Sequence, residues 1–182
     1  IINDLKLIDN KAAVKVASHS TNNYWEQYIP KELVGQYLEK YNVFNLENYV
    51  TNNGITVTAS NSNPIFGFKI SEDSYKIYTP LNLNKNFKHQ WIGNKPNTFK
   101  NIWGIEQLPA SCETILIHEG LKDAFTSNAN LNHSGIYAVG IDNASTGLET
   151  SIIEILKAKY QNLFICLDND KAGLENSIKK SE

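Results

Sequence analysis

Thr114-Ile-Leu-Ile-His-Glu-Gly-Leu-Lys-Asp123, together with its echo Asn162-Leu-Phe-Ile-Cys-Leu-Asp-Asn-Asp-Lys-Ala-Gly173, decides how this chain is read. Each is a short apolar run that stops at carboxylates and passes at once into helix-like sequence. Runs of this kind read as buried parallel strands feeding helices. Gly135-Ile-Tyr-Ala-Val139, closed by Gly140, supplies a third. The alternation predicts strands over 114–118, 135–139 and 162–167. Helices are expected from Leu121 to about Asn130, from Gly147 to Tyr160, and from Ala172 to about Lys180. Short connections between such units imply a parallel sheet with right-handed crossovers.

Open α/β sheets bind ligands beyond the carboxyl ends of their strands. Glu119 closes the first run, and Asp168 and Asp170 close the last. Carboxylates gathered there would repel one another without a cation. Magnesium is held by one or two carboxylates plus substrate phosphates, so a magnesium or manganese site is expected at Glu119, Asp168 and Asp170. Gly120 and Gly173 allow close backbone approach, and the turn Gly140-Ile-Asp-Asn-Ala-Ser145 suits an approach to phosphate. Each acid also has a plainer reading. Asp168 or Asp170 alone could cap the helix at Ala172, and Asp123 could complement a helix dipole. His118 is expected to point away from Glu119 as a packing residue.

Upstream, Ile55-Thr-Val-Thr58, Ile65-Phe-Gly-Phe-Lys-Ile70 and Tyr75-Lys-Ile-Tyr78 are β-branched and aromatic, with Ser71-Glu-Asp-Ser74 as a hairpin turn. Between Asp73 and Glu106 there is no acid, while Lys76, Lys85, Lys88, Lys95, Lys100 and His89 alternate with Phe87, Trp91 and Phe99. Lysines neutralise phosphates and rings stack on bases, so this stretch is either a surface for single-stranded nucleic acid or a solvated basic loop over an aromatic core. Further upstream, Lys31 to Lys40 has helical spacing, with Pro30 at its first position and a capping stretch at Thr21 to Asn23. Asn45 to Val50 reads as another short turn of helix, and residues 1 to about 20 as an irregular or helical lead-in. The expected division is 1–54 as a helical packing or linking element, 55–108 as a small basic β-rich subdomain, and 109–182 as the parallel α/β domain.

Composition bounds these readings. The 182 residues are 41% apolar and 20% charged with net charge −2, as in an ordinary soluble domain, so any polyanion must meet a local patch or a metal. No run reaches the roughly 20 apolar residues of a membrane span, and no signal peptide opens the chain. Cys112 and Cys166 have no CxxC spacing, which argues against structural zinc and suggests a reducing cytoplasm. There is no arginine, and no methionine to mark residue 1 as a natural start, so a fragment is expected.

Ile117-His-Glu-Gly-Leu-Lys-Asp-Ala124, Ala138-Val-Gly140 and Leu167-Asp-Asn-Asp-Lys-Ala-Gly173 resemble the TOPRIM domain, most closely that of bacterial and phage primases and primase-helicases. Tyr75-Lys-Ile-Tyr-Thr-Pro80 and Ile102-Trp-Gly-Ile-Glu-Gln-Leu108 are similar to the small subdomain that precedes it in primase cores. The resemblance implies an α/β fold, a TOPRIM-like parallel sheet flanked by helices and preceded by a small mixed α+β subdomain. It implies Glu119, Asp168 and Asp170 as metal-binding catalytic acids, with Gly120, Asp123, Gly140, Lys171 and Gly173 supporting them. Lys85, Lys88, Lys95 and Lys100 fall where primases hold template and nucleotide. The implied activity is magnesium-dependent synthesis of RNA primers on single-stranded DNA from nucleoside triphosphates, in the cytoplasm and away from membranes, with a replicative helicase as a possible associate. A TOPRIM nuclease and a non-catalytic binding module of a mobile element are the alternatives. Zinc-ribbon cysteines, helicase motifs, the family's fourth strand and a further acid are not found in this stretch.

Overall fold

A computed structural model describes residues 13–17, 23–93, 102–143 and 150–181. The chain parts into two compact units, one holding residues 44–95 and the start of the chain, the other 23–43 and 96–182.

The first unit is an antiparallel sheet. Its strands are β1 (Val14–Val16), β2 (Val43–Val50), β3 (Thr56–Thr58), β4 (Ile65–Ser71), β5 (Ser74–Tyr78) and β6 (His89–Gly93), in the order β1-β2-β4-β5-β6 with β3 also on β2. The hairpin expected at Ser71 to Ser74 joins β4 to β5. Leu46, Tyr49, Ile65, Ile77 and Ile92 form the core of this unit.

Two expectations fail here. Asn45 to Val50 is strand rather than helix, and residues 14–16 of the lead-in form its partner strand. The cause is a β-bulge. Val16 pairs with Leu46 while Lys15 pairs with Asn48, which leaves Glu47 as the extra residue. A bulge resets the inward–outward alternation. Leu46 and Tyr49 therefore both face the core, at a spacing that imitates a helix. Glu47 turns outward to Lys15 Nζ at 2.8 Å.

The second unit opens with a 3-10 turn at Tyr24–Gln27 and α1 (Lys31–Lys40). Asn23 makes no side-chain cap, Thr21 and Asn22 lie outside the described residues, and Pro30 precedes the first helical residue rather than occupying it. A parallel sheet follows, built from β7 (Cys112–His118), β8 (Ile136–Gly140) and β9 (Tyr160–Cys166) in the order β8-β7-β9. The helices are α2 (Leu121–Leu131), packed on β7 and β8, with α3 (Thr150–Lys159) and α4 (Lys171–Ser181) on β9. Ile115, Ile117, Val139, Ile141 and Leu156 fill one core. Among the described residues no helix is long and apolar enough to cross a membrane.

The stretch 23–43 does not stand apart as a lead-in, so the divisions expected at 54 and 108 are not where the contacts part. Trp25 and Tyr41, each 1% exposed, close on Phe125 of α2 at ring distances of 4.9 and 6.2 Å, and Trp103 joins them. Burying aromatics of this size against one another is among the largest stabilising terms a small unit has.

The free rim of β8 is closed from two sides. Asn128 of α2, wholly buried, accepts from Ala138 N and donates to Ala138 O, both at 2.8 Å. Trp103 and Gly140 exchange both backbone hydrogen bonds at 3.0 Å. Asn128→Ala strands a buried N–H and a buried C=O, so a loss of about 2 kcal/mol in unfolding free energy is expected. Urea denaturation followed by far-UV circular dichroism measures it.

Candidate functional site

Parallel pairing in register sets the carboxyl ends of β7, β8 and β9 along one edge. His118 pairs with both Gly140 and Cys166, so Glu119, Ile141 and Leu167 leave the sheet together. Glu119 stays tied to its neighbour, since its backbone N–H donates to Cys166 O at 3.3 Å. Its side chain reaches the same way, and Asp168 N donates to Glu119 Oε2 at 3.3 Å. The end of the central strand and the end of β9 thus meet through a carboxylate.

Asp168 and Asp170 are exposed. Asp170 does two things: its Oδ1 accepts from Gly173 N at 2.8 Å, and its carbonyl accepts from Leu174 N at 2.9 Å. That is N-cap geometry for α4, so the plainer reading of Asp170 holds. Gly173 lies directly against the Asp168 backbone carbonyl. Among the described residues, no three Asp, Glu, His or Cys side chains close into a metal-holding group. The structure brings Glu119 to Asp168, and Asp168 to the Asp170–Gly173 corner, without gathering all three carboxylates on one point.

The supporting residues divide. A Cβ on Gly120 would lie 2.6 Å from Asp123 Oδ2, so the Asp123 carboxylate folds back over the β7–α2 corner. It also lies 3.6 Å from Lys122 Nζ. A Cβ on Gly140 would come within 3.1 Å of Leu121 Cα, so this glycine lets the end of β8 lie close against the start of α2. Lys171 is 91% exposed and pairs with Glu175 at 4.0 Å along α4, a surface contact of little energetic weight. Lys85 and Lys88 belong to the other unit, at the 3-10 turn before β6, and Lys95 and Lys100 lie outside the described residues.

Two features of this edge escaped the sequence reading. Asp142, just past β8, has φ 76°, a left-handed conformation that costs a non-glycine residue energy and is tolerated best by Asp and Asn. Asn143 donates to its carboxylate at 3.3 Å. The run Asp142-Asn143 was the available signal. Ala144 and Ser145 of the same expected turn lie outside the described residues. The second feature is the partner of His118. The half-buried ring packs toward α2, where its Nε2 lies 2.9 Å from Ser127 Oγ.

Burial lowers the His118 imidazole below its ordinary value near 6.5, against a smaller upward pull from Asp123. Folding therefore favours the neutral ring. Above the unfolded value both states are neutral and pH makes no difference. Below it the unfolded chain takes up a proton that the folded chain refuses, so stability falls until the lowered folded value is reached. His118→Gln is expected to flatten that part of the loss between pH 7.5 and 5, read from urea midpoints of the two proteins measured side by side.

No protein-family profile matches this chain, and no curated protein matches its sequence. Solved structures do. The primase fragment of the bacteriophage T7 primase-helicase protein aligns with TM-score 0.53 and 14% identity over 80% of this chain and 55% of its own. A chain from the structure of bacteriophage T7 lagging-strand DNA polymerase interacting with primase domains of two gp4 subunits, bound to an RNA/DNA hybrid and dTTP, aligns with TM-score 0.53 and 13% identity. That alignment covers 94% of this chain and 74% of the other. This chain spans just over half the length of the T7 primase fragment. At such identity the likeness is one of fold.

Proposed function

We propose that this chain is a primase-type nucleotidyl-transfer core of the TOPRIM kind, which extends RNA primers on single-stranded DNA with magnesium or manganese. The observation that carries the reading is the Glu119 carboxylate at the end of the central strand, hydrogen-bonded to the N–H of Asp168 at the end of the next. The fold shared with the T7 primase fragment supports it.

The residues fit a hard cation. Their donors are carboxylate oxygens, and Asp168 and Asp170 are exposed, with no cation partner among the described residues. An open pair of carboxylates, rather than a closed cage, suits magnesium that shares its coordination with water and substrate phosphates. Glu119 and Asp168 would hold it, and Asp170 has one carboxylate oxygen engaged in the helix cap. When bound, the cation supplies charge neutralisation at the triphosphate and activates the primer 3′-hydroxyl. The chain's own share is positioning. The Asp170 cap and Gly173 fix the β9–α4 corner, and the hydrogen bond from Asp168 N to the Glu119 carboxylate ties the two strand ends together.

The test is incubation of the chain with single-stranded template, the four ribonucleoside triphosphates and magnesium. Short RNA products are expected. Cleavage of the template without RNA synthesis would instead identify a nuclease using the same acids.

A further inference from the structure

The connection from β5 to β6, residues 79–88, is not a slack loop. Thr79 N donates to Lys88 O at 2.9 Å and Thr79 Oγ1 to Phe87 O at 2.7 Å, closing its base. Within it, Asn84 N donates to Asn82 Oδ1 and Asn86 N to Asn84 Oδ1, each at 3.0 Å, and Phe87 N donates to Asn84 O at 3.0 Å. These bonds fix the backbone and hold three large apolar side chains out in water. Leu83 is 100% exposed, Phe87 51% and Leu81 50%. Isolated exposed leucines are ordinary, but three exposed apolar side chains on one short hydrogen-bonded loop raise the case for an interaction surface.

We propose that this loop is a docking site for a protein partner that presents an acidic, apolar segment. Two observations choose the occupant. Leu81 and Leu83 have no π-face, so they add nothing to base stacking, the means by which apolar side chains grip single-stranded nucleic acid. They do suit apolar burial against a protein surface, and a loop already held in shape loses little entropy on binding. Charge sets the rest. Lys85 and Lys88 flank the apolar side chains, and no acid occurs from residue 74 to 105, so the complementary segment is negative. This assignment is independent of the metal-binding acids, and it gives Lys85 and Lys88 a use other than the template contact that the resemblance implies.

The experiment uses the whole chain and a fluorescein-labelled peptide of alternating Asp or Glu with Leu and Phe. Two controls accompany it: the same peptide with Ser at every apolar position, and a labelled oligothymidylate. The acidic, apolar peptide is expected to raise fluorescence anisotropy on titration, and the serine control is not. The paired substitution Leu83→Ser with Phe87→Ser is expected to weaken peptide binding by roughly tenfold or more. Lys85→Glu with Lys88→Glu is expected to weaken it and to remove its dependence on salt. Leu83 and Lys85 are exposed but Phe87 is only 51% exposed and Lys88 is partly buried, so binding is compared only after both pairs show the wild-type far-UV circular dichroism spectrum at the titration temperature. The proposal is overturned if wild-type chain shows no binding at about 1 mM protein. It is overturned equally if the serine pair leaves peptide affinity unchanged, or weakens oligothymidylate binding instead, which would make the loop a nucleic-acid contact. Self-association abolished by the serine pair, without peptide binding, would assign the surface to a second copy of the chain.

Discussion

Glu119→Gln is expected to reduce primer synthesis by roughly 10²- to 10³-fold, the scale of loss when one preorganised electrostatic group is removed from an active site. The fold should survive intact. Glu119 Oε2 accepts the Asp168 N–H, and an amide oxygen in the same place can accept it too. The substitution thus keeps the shape and the hydrogen bond while removing the charge. Melting temperature should hold steady as activity and manganese affinity collapse, the latter read by calorimetry. Asp168→Asn should behave in the same way, since Asp168 is exposed and its side chain makes no hydrogen bond among the described residues. If both variants keep manganese affinity, the metal-site reading fails, whatever happens to activity.

Gly173→Ala is expected to destabilise the chain by about 3 kcal/mol, the upper end for forcing a methyl group into a filled place. The sign makes this informative. Replacing a glycine inside a helix by alanine ordinarily stabilises by about 1 kcal/mol. Gly173 lies in the first turn of α4, yet a Cβ there would run into the backbone of Asp168, which has no flexible side-chain end to give way. The helix would have to lift from β9 or the Asp168–Asp170 turn would have to open. Either movement displaces the acids, so manganese affinity should drop together with stability. Gly35 is the natural control. It sits within α1 with nothing within 4 Å of an added Cβ, and Gly35→Ala should show the ordinary stabilisation. Thermal denaturation of the two variants beside wild type decides the matter.

The three parallel strands were legible to within a few residues because each is a short apolar run; those around Ile117 and Val139 are buried, and the run around Ile165 reads the same way although β9 is only partly covered. Helix α1 was legible for a related reason: Leu33, Val34, Tyr37 and Leu38 fall on one stripe, and nothing disturbs the period. β2 was not, since the bulge at Glu47 rewrites its alternation and only the pairing with β1 reveals an extra residue. The allegiance of Trp25 and Tyr41 to Phe125 was hidden as well, because a ring packing across the fold leaves no local period. At the candidate site, residue type and place were readable and the division of labour was not. Sequence alone gives Asp170 two uses, as cap or as ligand, and the 2.8 Å bond from Gly173 N commits one oxygen to the first.

The side-chain clamp of Asn128 and the backbone exchange between Trp103 and Gly140 have a kinetic consequence. A terminal strand of a sheet normally gives up its outward amide protons to solvent quickly, because opening them requires no more than local fraying. β8 should not behave so. The amides of Ala138 and Gly140 are held from the outer side and should exchange deuterium nearly as slowly as the sheet's centre. β9 ends the sheet on the other side with no strand beyond it among the described residues, and its seven residues carry no charge. Its outward amides should label early. The two flanks of one small sheet would then differ in protection, and the slower flank is the one that carries Gly140 toward the β7–α2 corner.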